Sequence, residues 1–141
     1  KAGIKIGVFG LGVQLEGLVD KKMYKDTVYK DPIETAEDIT RILKQEEKCD
    51  LVICLSHLGY DYNNEPEKIS DINLARKTAD IDLIIGGHTH TFLDKPTIVL
   101  NKKGEQTLVN QVGCYGINLG RIDFYFDYNR KKTHEGTTIV V

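Results

Sequence analysis

Short apolar clusters, separated by glycine and by polar loops, set the pattern along this chain. Gly3–Leu11 alternates glycine with Ile, Val, Phe and Leu and reads as a buried strand ending in a loop at Gly10–Gly12. Residues 13–30 mix charged and aromatic side chains with no clear period, as a long connection with at most a short turn would. Asp31-Pro32-Ile33-Glu34 is then a helix start: Asp31 can cap, Pro32 suits the first helical position, and Glu34 follows at capping-box spacing. Ile33, Ala36, Ile39, Ile42 and Leu43 recur at helical intervals, and the helix is predicted to end near Lys48.

Leu51–Leu55 is a continuous apolar run, predicted as a strand buried on both faces. A polar loop over residues 60–70 leads to a second helix opening at Ser70 or Asp71 and carrying Ile72, Leu74, Ala75 and Ala79. Ile81–Ile85 is a second buried strand, ending at Gly86-Gly87. This strand–helix–strand order implies parallel strands joined by right-handed crossovers. After Pro96 the pattern changes. Thr97–Leu100, Thr107–Val112 and Gly120–Asp127 read as short antiparallel strands, with a turn at Asn101–Gly104. A charged stretch, Asn129–Glu135, precedes Thr137–Val141, which is either a last strand or a frayed end.

Composition narrows the class. Of 141 residues, 40% are hydrophobic and 28% charged, enough apolar material for a core without disulfide or metal staples. With 19 basic and 21 acidic residues the net charge is −2, which argues against non-specific nucleic-acid binding. The apolar runs fall far short of a membrane span. Cys49, Cys54 and Cys114 are odd in number and lack ligand spacing, so Cys49 and Cys54 read as small core hydrophobes.

The chemistry lies in the histidines. Only four occur, His57, His88, His90 and His134, and two of them follow the ends of the predicted parallel strands within three residues. Ligands of open α/β sheets bind outside the carboxyl ends of the strands, so the topology gathers His57, His88 and His90 on one edge. His88 and His90, two apart in extended backbone, would point to one side, with Gly86 and Gly87 permitting tight geometry before them. Imidazoles so grouped suit a metal such as Zn, Fe or Mn. His134 stands alone in a charged stretch and reads as an ordinary polar residue. Ser56 next to His57 does not form a nucleophile elbow, and glycines 7, 10 and 12 make no dinucleotide fingerprint.

Together these residues carry a resemblance. Leu55-Ser-His-Leu-Gly59 resembles the Ser/Thr-His-x-Gly motif of calcineurin-like metallophosphoesterases, in their 5′-nucleotidase branch. Gly86-Gly-His-Thr-His-Thr-Phe-Leu93 resembles that branch's Gly-Gly-His-x-His signature. Asn110-Gln-Val-Gly-Cys-Tyr-Gly116 with Leu119-Gly-Arg-Ile-Asp-Phe124 resembles its later sheet segment. The resemblance implies an α/β fold, the C-terminal half of a four-layer α/β/β/α sandwich, with residues 1–128 the domain part and 129–141 a charged tail or terminal strand. It implies two divalent metal ions (Zn, Mn, Mg or Fe), with His57 and His88 on one and His90 on the other. It further implies hydrolysis of nucleotide phosphate monoesters at the periplasm or cell surface. The family's Asp-x-His, Gly-Asp-x-x-Asp and Gly-Asn-His-Asp/Glu motifs do not occur in this sequence. The chain is therefore expected to need a missing N-terminal half of the domain, to be inactive alone, and to associate through an open apolar face. The alternative is a small α/β module that binds metal or self-associates without catalysis.

Overall fold

A computed structural model describes residues 3–141. Lys1 and Ala2, which the expected domain includes, lie outside the described residues. Strands β1 (Ile6–Leu11), β2 (Leu51–Ser56), β3 (Leu83–Ile85), β4 (Thr97–Leu100) and β5 (Gln106–Asn110) form one sheet in the order β1-β2-β3-β5-β4. β1, β2, β3 and β5 run parallel, and β4 is the antiparallel edge. The expected antiparallel segment thus divides. β5 is antiparallel only toward β4 and takes a parallel place beside β3, with Leu83 opposite Leu108.

Helix α1 (Lys21–Tyr24) is a single turn capped by Asp20 within the first connection. Helix α2 (Pro32–Arg41) starts as its sequence requires. Asp31 Oδ1 accepts from both Ile33 N and Glu34 N at 2.9 Å, and proline occupies the first turn, where an N–H would have no partner. It runs into a π-helical turn, Ile42–Glu46, and stops at Lys48, whose φ of +55° breaks the helical path. Helix α3 (Asp71–Lys77) is capped by Ser70 Oγ, which accepts from Asn73 N at 3.1 Å.

Both longer helices cover the same sheet face. The core is built there from Phe9, Val52, Cys54 and Ile84 of the strands against Ala36, Leu74 and Ala75 of the helices. Burial pushes the Cys54 thiol up to about 12, helped by the nearby Asp71, so this residue is an inert core group.

The opposite face departs from the expectation of strands buried on both sides. Ile6 (48%), Leu55 (49%) and Ile85 (43%) remain open to solvent there. The cause is that no helix among the described residues covers it; a hairpin of β6 (Asn118–Phe126) and β7 (Lys132–Val140) lies over only part of it. Residues 132–140, including most of the charged stretch, pair with β6 along the full length of that hairpin. Two glycines let the hairpin approach. A Cβ on Gly120 would sit 2.7 Å from Asn110 Nδ2, and one on Gly136 would sit 2.5 Å from Pro96 Cγ. A cavity of about 1150 Å³ remains between sheet and hairpin, lined by Ile6, Ile53, Leu83 and Ile85 below and Ile122 and Phe126 above.

At the amino ends of the strands, Asp82 ties the layers together. It accepts from Val52 N at 2.7 Å and pairs with Lys44 from the helical layer and Lys132 from the hairpin. The capping geometry sets a measurable expectation. Asp31→Ala should lower stability by about 1 kcal/mol, read as a fall in the urea midpoint with an unchanged slope.

Candidate functional site

The carboxyl ends of β2 and β3 carry the two histidine motifs. His57 follows β2 directly, and its backbone N–H donates to Leu11 O at 2.9 Å, which fixes it beside the end of β1. His88 follows Gly86-Gly87 after β3, where Gly86 N donates to Asn110 O at 2.8 Å. The His57 and His88 rings meet edge to face, their centroids 5.2 Å apart and their planes at 71°. His90 is exposed and lies against Tyr115, ring centroids 6.4 Å apart. His134 is on β7; its Nε2 lies 3.2 Å from Oε1 of Gln106, the first residue of β5, at the other end of the strands.

The backbone reaches this arrangement by a different route from the expected extended segment. His88 has φ +71° and His90 φ +53°, both left-handed, so they do not alternate as strand residues. Gly86 and Gly87 serve as space rather than as left-handed hinges. A Cβ on Gly86 would lie 2.1 Å from Asp71 Oδ2, and one on Gly87 would lie 3.0 Å from His57 Nδ1. The histidines carry the unusual backbone, and the glycines make room for the groups packed behind them.

Gln111 holds the loop in that shape. Its Nε2 donates to Gly87 O at 2.8 Å, while Oε1 accepts from Thr91 N and from Thr89 Oγ1 at 3.1 Å. Thr89 Oγ1 in turn accepts from Tyr60 N at 2.9 Å, which joins the loop after β2 to the loop after β3. Gln111 is buried, so these bonds form where water does not compete. Ser56, beside His57, is turned inward: its Oγ donates to Asp71 Oδ1 at 2.5 Å and accepts from Leu58 N. Asp71 and Gln111 were not singled out by sequence patterning. Asp71 resembled an ordinary helix opener, and its burial follows from packing against strand ends distant in the chain.

The donor chemistry fits a divalent cation in part. Two imidazoles face one another at a rim where His57 is exposed, but no group of three His, Cys, Asp or Glu side chains converges among the described residues. Two imidazoles are fewer donors than a divalent cation takes from a protein, so any cation held here would need further ligands.

No protein-family model matches the chain. It is 40% identical over 125 residues to the trifunctional nucleotide phosphoesterase protein YfkN of Bacillus subtilis, covering 89% of this chain and 8% of that protein. It is 31% identical to the 5′-nucleotidase of Vibrio cholerae, covering 89% of this chain and 26% of that one. The crystal structure of a 5′-nucleotidase precursor from Thermus thermophilus superposes with a TM-score of 0.68 at 28% identity, over 80% of this chain and 23% of the other. The chain belongs to the 5′-nucleotidase family. Its fold is shared also with the NAD nucleotidase of Haemophilus influenzae, at a TM-score of 0.75 over 99% of this chain and 29% of that one. The α/β class expected from the sequence is thus the observed one, and the chain spans less than a third of these relatives' lengths.

Two expectations follow for this family member. Gly86→Ala should destabilise by about 1–3 kcal/mol, because the added methyl collides with a buried carboxyl whose other oxygen is held by Ser56. Thermal unfolding would show it. The second concerns protons. Desolvation raises the Asp71 carboxyl from 3.8 to about 7, against the lowering effect of the Ser56 hydrogen bond. Between those values the folded chain holds a proton that the unfolded chain has released, so Asp71 favours folding fully at low pH and this contribution is lost as pH rises through about 7. Urea midpoints at about pH 5 and about pH 8 should differ in the wild type, and the difference should shrink in Asp71→Asn.

Proposed function

We propose that this chain is the histidine-bearing part of a metal-dependent hydrolase of nucleotide phosphate esters. The observation that carries this reading is the meeting of the His57 and His88 rings at the carboxyl ends of β2 and β3, on motifs shared in pattern with nucleotide phosphoesterases. The named activities of the Bacillus and Vibrio relatives support it.

In the proposed site His57 and His88 hold one divalent cation and His90 a second. Bound metal would polarise phosphoryl oxygens and lower the pKa of a water at neutral pH. The chain's own contribution is to place imidazoles at an open rim and keep them there without cost at the moment of reaction. Gln111 and Thr89 fix the loop that carries His88 and His90, and the outward exposure of His57 and His90 leaves their rings accessible to ligand. Three imidazoles alone give two dications no compensating negative charge, so carboxylate ligands must come from elsewhere in the protein. The partial coverage of the relatives and the open apolar sheet face both support a complementary segment that seats on that face and supplies them. A location outside the cytoplasm is part of the same proposal, supported by the Thermus relative's description as a precursor. Among the described residues, no helix is long and apolar enough to cross a membrane.

The test is phosphate release from nucleoside monophosphates with added Mn²⁺ or Zn²⁺. A protein that joins this chain to the complementary segment should turn over, and His88→Ala should cut its rate by at least about 100-fold. The 141-residue chain by itself should release no phosphate. Unchanged activity in His88→Ala would refute the ligand assignment, and turnover by the chain alone would refute the need for a complement.

A further inference from the structure

We propose that Asp71 is the positioning residue that brings the His57 and His88 rings together. Its purpose rests on the metal reading above, but its geometry does not.

Asp71 is completely buried at the first position of α3, an unusual place for a carboxyl group. Helix capping does not explain it, because the Ser70 hydroxyl already caps α3. One carboxyl oxygen takes the Ser56 Oγ hydrogen bond at 2.5 Å, and the other has no hydrogen-bond partner among the described residues. Leaving a buried polar atom unsatisfied is costly, so the fold keeps this group against its own stability.

What the carboxyl touches gives the reason. Oδ1 binds Ser56, the residue directly before His57. Oδ2 fills the space that a side chain at Gly86, two residues before His88, would need. The Asp71 backbone N–H donates to Gly59 O at 2.7 Å, and the Ser56 hydroxyl also accepts from Leu58 N at 3.1 Å, so the chain on both sides of His57 is tied to the same point. One small planar group is thus wedged between two strand ends and fixes each a residue or two before its histidine. With Gly87 leaving room for the His57 ring, the spacing of the two imidazoles follows from this wedge. Asp71 touches no reacting group in this arrangement; it acts through Ser56 and Gly86.

The experiment reads the ring pair directly, with no metal present. In the 141-residue chain with isotope-labelled histidine, NOEs between the His57 and His88 rings should be seen, as expected for centroids 5.2 Å apart. Asp71→Asn should keep them, since the amide oxygen still accepts from Ser56 and the group still fills the Gly86 space. Asp71→Ala should lose them or weaken them severalfold. Ser56→Ala, a gentler change, should weaken them if Asp71→Ala does not fold. Ile81→Val, which trims the core at the far end of β3, should leave them intact. Co²⁺ titration of the same proteins should show affinity falling on the order of tenfold in Asp71→Ala and recovering in Asp71→Asn. Full NOE intensity in both alanine variants, absence of the NOEs in the wild type, or equal loss in Ile81→Val would overturn the proposal. If the NOEs behave as expected but the wild type takes up no Co²⁺, the positioning role stands and the metal reading fails.

Discussion

The parallel alignment of β1, β2, β3 and β5 is the constraint on which the rest of this structure depends. Parallel strands must be joined by crossovers, so each strand ends on the same edge and sends its loop over the same rim. His57 and His88 are brought together by that rule before any side chain has acted. The rim is also where backbone groups leave the ladder and need new partners. Gln111, Thr89 and Tyr60 supply them, and the loop they tie down carries His88 and His90 in left-handed conformations that an untethered chain would rarely hold.

The two faces of the sheet have different fates. One is sealed by α2 and α3 over a core of aliphatic side chains. The other keeps Ile6, Leu55 and Ile85 near half exposure beneath a hairpin that stands partly away from it. Exposed apolar area of this kind, contiguous and edged by polar residues, marks an interaction surface more often than a finished exterior. The hairpin is nonetheless firmly attached. Thr138 bonds to Asp94 O and Leu93 O, and Lys132 pairs with Asp82 across the layers.

Buried polar groups concentrate behind the histidine rim. Ser56, Asp71, Asn110 and Gln111 are all buried within or next to the ends of β2, β3 and β5. Two of their atoms, Asp71 Oδ2 and Asn110 Oδ1, have no hydrogen-bond partner among the described residues. A fold selected for stability alone would place aliphatic residues there, as it does a few positions earlier along the same strands. The polar layer exchanges some stability for a defined loop geometry.

Local order was legible in the sequence. The start of α2 could be read from Asp31 and Pro32 because capping depends on atoms only two or three residues apart. The runs at Leu51–Leu55 and Ile81–Ile85 announced strands through β-branched content, and the histidine motifs announced a site because strand ends share an edge. Three features were decided only by tertiary structure. β5 joined the parallel set because its neighbour is β3, which no local pattern encodes. How much of the second sheet face stayed open was decided by where the β6–β7 hairpin, far away in the chain, came to rest. Gly86 and Gly87 read as positions of tight backbone geometry, yet what makes them glycines is that Asp71 and His57, distant in sequence, occupy the space their side chains would take. Periodicity and capping report what neighbours along the chain require, whereas the reason for an empty volume lies in whatever fills it.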